Sequence, residues 1–204
     1  MAATREWLPN PEPGTSICLG LDGSEVSDYT AIKAETSGGL LFTPRWMGRP
    51  TIWNPADYGG RMPRHEVDAA VDWLFDAYDV QRMYCDPPYW ETEVDQWALR
   101  HGEDRVIRWP TYRAQQMHAS LERFVIDLGS GRIKHDGCPI TTEHVRNARM
   151  LYRRDGRYVL GKPDVARKID AAVTSVLAHE AAADSRASGW GSEEELPPLM
   201  FGIR

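Results

Sequence analysis

Along the chain, apolar residues first come in short blocks and alternations, and later at helical spacing. Residues 16–22 (SICLGLD) are an apolar run closed by Gly-Ser, and 29–35 (YTAIKAE) alternate faces as a half-buried strand does, so the two are predicted to pair. Gly38-Gly39 turns the chain into 40–47 (LLFTPRWM), predicted as the third strand of an antiparallel meander, with Pro44 favouring an edge position. Between 65 and 78, Val67, Ala70, Val71, Leu74, Phe75 and Tyr78 recur at helical spacing; a strand over 80–85 (VQRMYC) follows and stops at Asp86-Pro87-Pro88. A helix crossing into a new strand implies parallel addition. The pattern repeats with a helix over 91–100, a strand over 105–109 and an amphipathic helix over 113–128 ended by Gly129. Three early strands followed by alternating helices and strands make a mixed α/β sheet.

The last third reads differently. Residues 139–149 are predicted as a short helix opened by Thr141 or Thr142, and 150–160 (MLYRRDGRYVL) as a hairpin about Asp155-Gly156, a strong turn signal. Pro163-Asp164 is expected to open a long closing helix through Val165, Ile169, Val173, Val176 and Leu177, with Asp164 as cap or first-turn acid. The proline-rich residues 1–14 read as a linker, 15–184 as one domain, and 185–204 as a tail whose apolar end at 199–203 suits docking.

Composition narrows the class. With 42% hydrophobic and 26% charged residues and no run approaching the roughly 20 apolar residues of a membrane helix, a soluble intracellular protein is expected. Cys18, Cys85 and Cys138 are odd in number and scattered, which fits buried free thiols better than a disulfide framework or a metal ribbon. A net charge of −6 argues against nucleic-acid binding by bulk attraction, so charge distribution must decide. Residues 146–168 are locally basic: Arg146, Arg149, Arg153, Arg154, Arg157, Lys162, Arg167 and Lys168 face only Asp155 and Asp164. That segment reads either as a phosphate-contacting surface or as a solvated hairpin.

The candidate chemistry is acidic. Asp22 ends the first strand and Asp86 the first strand after the meander, so if those strands are neighbours both carboxylates emerge at one sheet edge. Asp170 lies among Ile169, Ala171, Ala172 and Val173, where an unpaired carboxylate is costly to bury and calls for a cation. Two magnesium or manganese ions about 4 Å apart, bridged by such carboxylates, are a known means of phosphodiester hydrolysis. Each aspartate also has a plain reading, as a turn residue, a strand stop and a solvent-facing helix residue respectively. Asp28 reads as a turn acid or an extra ligand, and Arg167 as a phosphate contact or a partner of Asp170. His118, His135 and His144 read as structural. The aromatics Tyr89, Trp90, Trp97, Trp109 and Tyr112 read as core, with base stacking as the alternative.

Residues 117–181 resemble the C-terminal nuclease part of phage terminase large subunits. There an amphipathic helix leads to a strand, an H-D-G-x-P turn (His135 to Pro139), an H-x-x-N-A helix (His144 to Ala148), a hairpin, and a helix opened by a basic residue, Ile and Asp (Lys168 to Asp170). The resemblance implies a ribonuclease H-like fold, in which three antiparallel strands are followed by parallel ones, flanked by helices, with an added β-hairpin before the last helix. It implies Asp22, Asp86 and Asp170 as catalytic and metal-binding residues for two Mg2+ or Mn2+ ions, with Arg153, Arg154, Arg157, Arg167 and Lys168 on DNA. The implied role is endonucleolytic cutting of concatemeric double-stranded viral DNA in the host cytoplasm. The implied partners are a packaging ATPase, a portal protein and a small terminase subunit, with no membrane. No G-x-x-x-x-G-K-[ST] phosphate loop occurs, so any ATPase half lies outside this sequence. A junction-resolvase or transposase-like nuclease, and a non-catalytic docking module, are the competing readings.

Overall fold

A computed structural model describes residues 6–192. In chain order the elements are β1 (Ser16–Asp22), β2 (Thr30–Thr36), β3 (Leu40–Phe42), β4 (Arg45–Trp46), β5 (Arg49–Pro50), β6 (Ile52–Trp53), α1 (Arg64–Ala77), β7 (Asp79–Cys85), α2 (Glu91–His101), β8 (Val106–Arg108), α3 (Ala114–Gly129), β9 (Lys134–His135), α4 (Pro139–Asn147), β10 (Arg149–Tyr152), β11 (Tyr158–Gly161) and α5 (Asp170–Ala187). One seven-stranded sheet runs β8-β7-β1-β2-β3-β9, with β6 also on β2. β1, β2 and β3 pair antiparallel in succession, while β7 joins β1 and β8 joins β7 in parallel. This is the expected mixed α/β sheet, and the β10–β11 hairpin stands apart from it just before α5.

Strand alternation decides which side chains reach which layer. Ile17, Leu19 and Leu21 face α1 and α2, in a core with Val67, Val71, Leu74, Val94 and Trp97. Cys18 faces the other way, packing with Val176, Leu177, Met117 and Leu121 of α5 and α3. Gly20 and Asp22 share that parity. On β7, Met83 and Cys85 lie in the first core and Tyr84 in the second, so Asp86, whose amide continues the ladder by donating to Leu21 O at 2.9 Å, also belongs to the α5 side. A register shift between Ile17 and Cys18 lets Val80 and Met83 share a face despite their odd spacing.

α5 lies tight against the sheet because the crossing is made of small residues. A Cβ placed on Gly20 would come within 2.4 Å of Ala178 N and 2.6 Å of Thr174 O, both backbone atoms of α5. Buried alanines at 171, 172, 178, 181 and 182 allow that approach, and burial nearly all round explains the helix's weak amphipathic pattern.

Several expected elements differ in detail. The strand predicted over 40–47 stops at Phe42: Thr43 and Pro44 leave the ladder, and Arg45–Trp46 pairs with Arg49–Pro50 in a separate ribbon. Residues 29–35 were expected to be half-buried, but both faces of β2 are covered. Lys33 donates to Thr43 Oγ1 (2.6 Å) near Asp136, and Glu35 meets His179 and Arg186, each at 2.9 Å. α4 begins at Pro139, whose fixed φ and missing N–H suit a first helical position, rather than at Thr141 or Thr142. The closing helix begins at Asp170, six residues later than expected: Asp164 Oδ1 accepts from the amides of Ala166 and Arg167, capping a local turn, and Val165 is 82% exposed. At the near end, residues read as linker lie along the domain, with Trp7 Nε1 donating to Asp136 and Asn10 Nδ2 to Thr43 O. α5 carries on through Ala187, past the point where the tail was expected to start, and residues 199–203 lie outside the described residues. All three cysteines are buried free thiols.

Replacing Gly20 with Ala should destabilise the fold by about 2 kcal/mol, since α5 must lift from β1 to admit the methyl group. A lower urea midpoint with an unchanged m-value would register it.

Candidate active site

Asp22, Asp86 and Asp170, together with Asp28, line one cavity of about 390 Å3 at the C-terminal edge of β1 and β7. Strand parity delivers the first two, and the first turn of α5 delivers the third from above. Gly23, directly after Asp22, is required by close approach: a Cβ there would sit 2.2 Å from Trp90 Nε1. Tyr89 closes one rim in the left-handed region (φ 68°), its carbonyl held by the Arg64 guanidinium. A non-glycine residue held there beside such a cavity marks stored backbone strain.

The four carboxylates are not equivalent. Burial first, then the charges of Asp170, Asp86 and Asp28, push the Asp22 carboxyl well above the usual range. Burial, then the Asp28 charge, raises Asp170, against the backbone amides of Asp170 itself and Tyr29. Asp86 is raised by burial, against two hydrogen bonds from Thr111, whose amide donates to Oδ1 (3.1 Å) and whose hydroxyl donates to Oδ2 (2.6 Å). Asp28 goes the other way. Burial would raise it, but Lys162 and Lys168, each 2.7 Å from Oδ1, hold it below the usual range.

Thr111 and Lys162 carry this arrangement; Thr111 was not anticipated, and Lys162 was expected only as part of the basic run. Thr111 was detectable in principle, since it lies just beyond a strand parallel to β7 and so at the same edge as Asp86. Trp109 N donates to Cys85 O (2.7 Å) and keeps the two strand ends in line.

The basic residues are divided. Lys168 is committed to Asp28 and to Ser27 O (2.6 Å), and Arg167 reaches Asn147 Oδ1 (3.3 Å) and Asp164 (3.9 Å). Arg153 and Arg154 stand exposed at the hairpin turn, while Arg157 pairs with Asp155 at 3.2 Å. The hairpin's root, Leu160 and Gly161, borders the acidic cavity; its arginine tip does not. Trp90, Trp97 and Trp109 are core residues, whereas Tyr89 and Tyr112 are exposed. His118 accepts from Tyr158 N (3.3 Å) and braces the hairpin on α3, and His135 accepts from Gly137 N within its own turn (3.2 Å).

This architecture has close counterparts. The large terminase nuclease from thermophilic phage G20c superposes with a TM-score of 0.63 at 14% identity, covering 86% of this chain and 92% of that one, in a form with bound magnesium as well. The HK97 bacteriophage large terminase superposes at 0.60 with 16% identity, over 88% of this chain and 41% of that one. The chain has the fold of the large-terminase nuclease. By sequence, the Gene 13 protein of Mycobacterium phage L5 is 35% identical over 192 residues, 88% of this chain and 31% of that protein. The chain thus spans about a third of the length of the curated relatives it matches. No protein-family model matches it. Among the described residues, no helix is long and apolar enough to cross a membrane.

Within this terminase-nuclease fold the cavity's donors suit a hard divalent cation. All are oxygens, and Asp170 Oδ2 is buried without a hydrogen-bond partner among the described residues. As they stand, no group of three His, Cys, Asp or Glu side chains among the described residues is arranged to hold an ion. Asp86 is turned onto Thr111 and Asp28 onto two lysines, as mutual repulsion favours.

The carboxyls of Asp22, Asp86 and Asp170 bind protons more tightly in the fold than in the open chain, so their contribution to stability is present at low pH and lost as pH rises through their raised values. Asp22→Asn should therefore stabilise the metal-free domain on the order of 1 kcal/mol at pH 8, with the gain shrinking toward pH 4. Urea unfolding in EDTA at the two pH values would measure it; a destabilised variant at pH 8 would contradict the repulsion.

Proposed function

We propose that this chain is the metal-dependent nuclease portion of a DNA-packaging large terminase, cutting concatemeric double-stranded viral DNA as an endonuclease. The observation that carries the reading is the convergence of Asp22, Asp86 and Asp170 on one cavity, with raised carboxyls and an unpartnered Asp170 oxygen. Support comes from the shared fold with the G20c nuclease, known with bound magnesium and bound cobalt, and from the similarity to phage proteins.

Asp22, Asp86 and Asp170 would hold two Mg2+ or Mn2+ ions. When bound, such ions supply a nucleophile at neutral pH and offset charge on the attacking and leaving oxygens. The chain's own contribution is placement. β1 and β7 fix Asp22 and Asp86 on neighbouring strands, Thr111 sets the Asp86 carboxylate plane, and the start of α5 brings Asp170 over both. Asp28 holds Lys162, which lines the cavity, and Lys168, which does not; both ammonium groups would contact a phosphodiester backbone crossing this edge. Arg153, Arg154 and Arg157 of the hairpin, with Arg167, extend that positive surface away from the reacting edge. The remainder of the terminase, its ATPase, portal protein and small subunit are the partners this reading requires, inside the infected host cell.

Asp86→Asn should abolish plasmid cleavage while preserving a cooperative melt, because the amide keeps the shape and removes the charge. EDTA should stop the wild-type reaction and manganese or magnesium restore it. Cutting by the variant at wild-type rates, or full activity in chelator, would refute the reading, and chelator-insensitive binding without cutting would favour a docking module.

The triple change of Arg153, Arg154 and Arg157 to Ala should weaken duplex binding equally for unrelated sequences and flatten its salt dependence by about one phosphate contact per residue. Cleavage per bound duplex should change less. A salt-titrated binding curve that overlays wild type would remove the hairpin from the DNA surface.

A further inference from the structure

α5 starts in an unusual way. Its N-cap residue is Ile169, which has no side-chain acceptor, and residues 162–169 before it form neither helix nor strand. The first amides of a helix lack partners within the helix and are ordinarily met by a capping side chain from the same segment. Here the Asp170 carboxylate takes its own amide, and the partner of the next amide comes from α4. His144, 3% exposed, accepts from Ala171 N through Nδ1 at 3.1 Å. One turn on, Asn147 donates from Nδ2 to Lys168 O at 3.0 Å and accepts from Arg167 at 3.3 Å. Residues three apart lie on one helix face, so a single face of α4 grips the chain on both sides of Asp170.

We propose that His144 and Asn147 are positioning residues that seat Asp170 and so set the cavity's affinity for a divalent cation. The inference rests on the nuclease reading for the identity of the cation and on geometry for the seat. The alternative is a buried histidine that only caps a helix. Three observations point past that. The two bonds bracket Asp170, whose Oδ2 is a buried side-chain oxygen without a partner among the described residues. The N-cap residue, Ile169, supplies no side-chain cap for α5. The ring is also fixed in place, edge-on to Tyr29 with centroids 5.0 Å apart, and Tyr29 is the residue after Asp28. To accept, Nδ1 must be unprotonated, with the ring's hydrogen on Nε2; burial, which lowers the His144 pKa to about 4, keeps it so.

Two substitutions separate seat from cap. His144→Phe keeps the ring and its contact with Tyr29 but removes the acceptor, whereas His144→Asn can place an amide oxygen where Nδ1 stood. With the full chain, Mn2+ affinity is measured by titration calorimetry well below each variant's melting temperature, and exchange of the Ala171 amide is followed by NMR without metal. The Phe variant should bind Mn2+ about tenfold more weakly and exchange Ala171 faster, and the Asn variant should restore most of both. Asn147→Leu, which keeps bulk but loses the donor, should weaken Mn2+ binding in the same direction and decides the matter if the Phe variant does not fold. A folded Phe or Leu variant with wild-type Mn2+ affinity would overturn the proposal, as would unchanged Ala171 exchange in the Phe variant. Absence of Mn2+ binding by the wild type would instead sink the nuclease reading, and the exchange comparison would still test the seat.

Discussion

The contact on which the rest of this molecule depends is the crossing of α5 over β1 at Gly20. With backbone atoms of Thr174 and Ala178 filling the space a side chain would take, the helix cannot slide or lift without opening the core. That crossing fixes the height of α5 above the sheet and therefore the height at which Asp170 meets Asp22 and the Asp86 edge. A larger residue at 178 would lift α5 from β1 and move Asp170 with it, since packed interiors transmit such shifts.

Acidic groups gathered at one edge repel one another, and the fold offsets this locally. Thr111 holds one carboxylate, two lysines hold another, and Asp22 and Asp170, buried as well as repelled, answer by binding protons more tightly. The resulting edge is polarised, with carboxyls of raised proton affinity over β1 and two ammonium groups on Asp28 beside them. A net charge of −6 is therefore compatible with a polyanionic ligand, because the local distribution differs from the sum.

Much of this was legible in the sequence. The strand runs ending at Asp22 and Asp86, and the helix before the second, implied parallel addition, with a shared edge if the two strands were neighbours, as they are. Those are local patterns with a direct topological consequence. The start of α5 was not legible, because Val165 and Ile169 continue its spacing while the turn at Asp164 breaks it, and turn chemistry outweighed periodicity. Asp170 was flagged by its apolar neighbours as an acid in need of a cation, and only the resemblance joined it to the other two. Nor could alternation alone reveal that Lys33 and Glu35 are buried, since their partners, Asp136, His179 and Arg186, arrive from more than 100 residues away. The fate of the basic run depended on Asp28, whose carboxylate claims two of its lysines.

Asp136 gives the domain one more property. Its carboxylate receives the Trp7 indole, the Thr43 amide and the Cys138 amide, and its carbonyl receives Leu8 N. Arg45 lies over the Trp7 ring at 3.9 Å, and Gly137 passes so close to Glu6 that a side chain there would strike its carbonyl. The chain ahead of β1 is thus riveted to the turn that launches α4. Tension applied to the amino-terminal end is delivered first to this rivet, loading several hydrogen bonds at once instead of peeling β1 from the sheet. α4 stands one link beyond the rivet and also grips the start of α5, so a short run of hydrogen-bonded contacts separates Trp7 from the acidic edge.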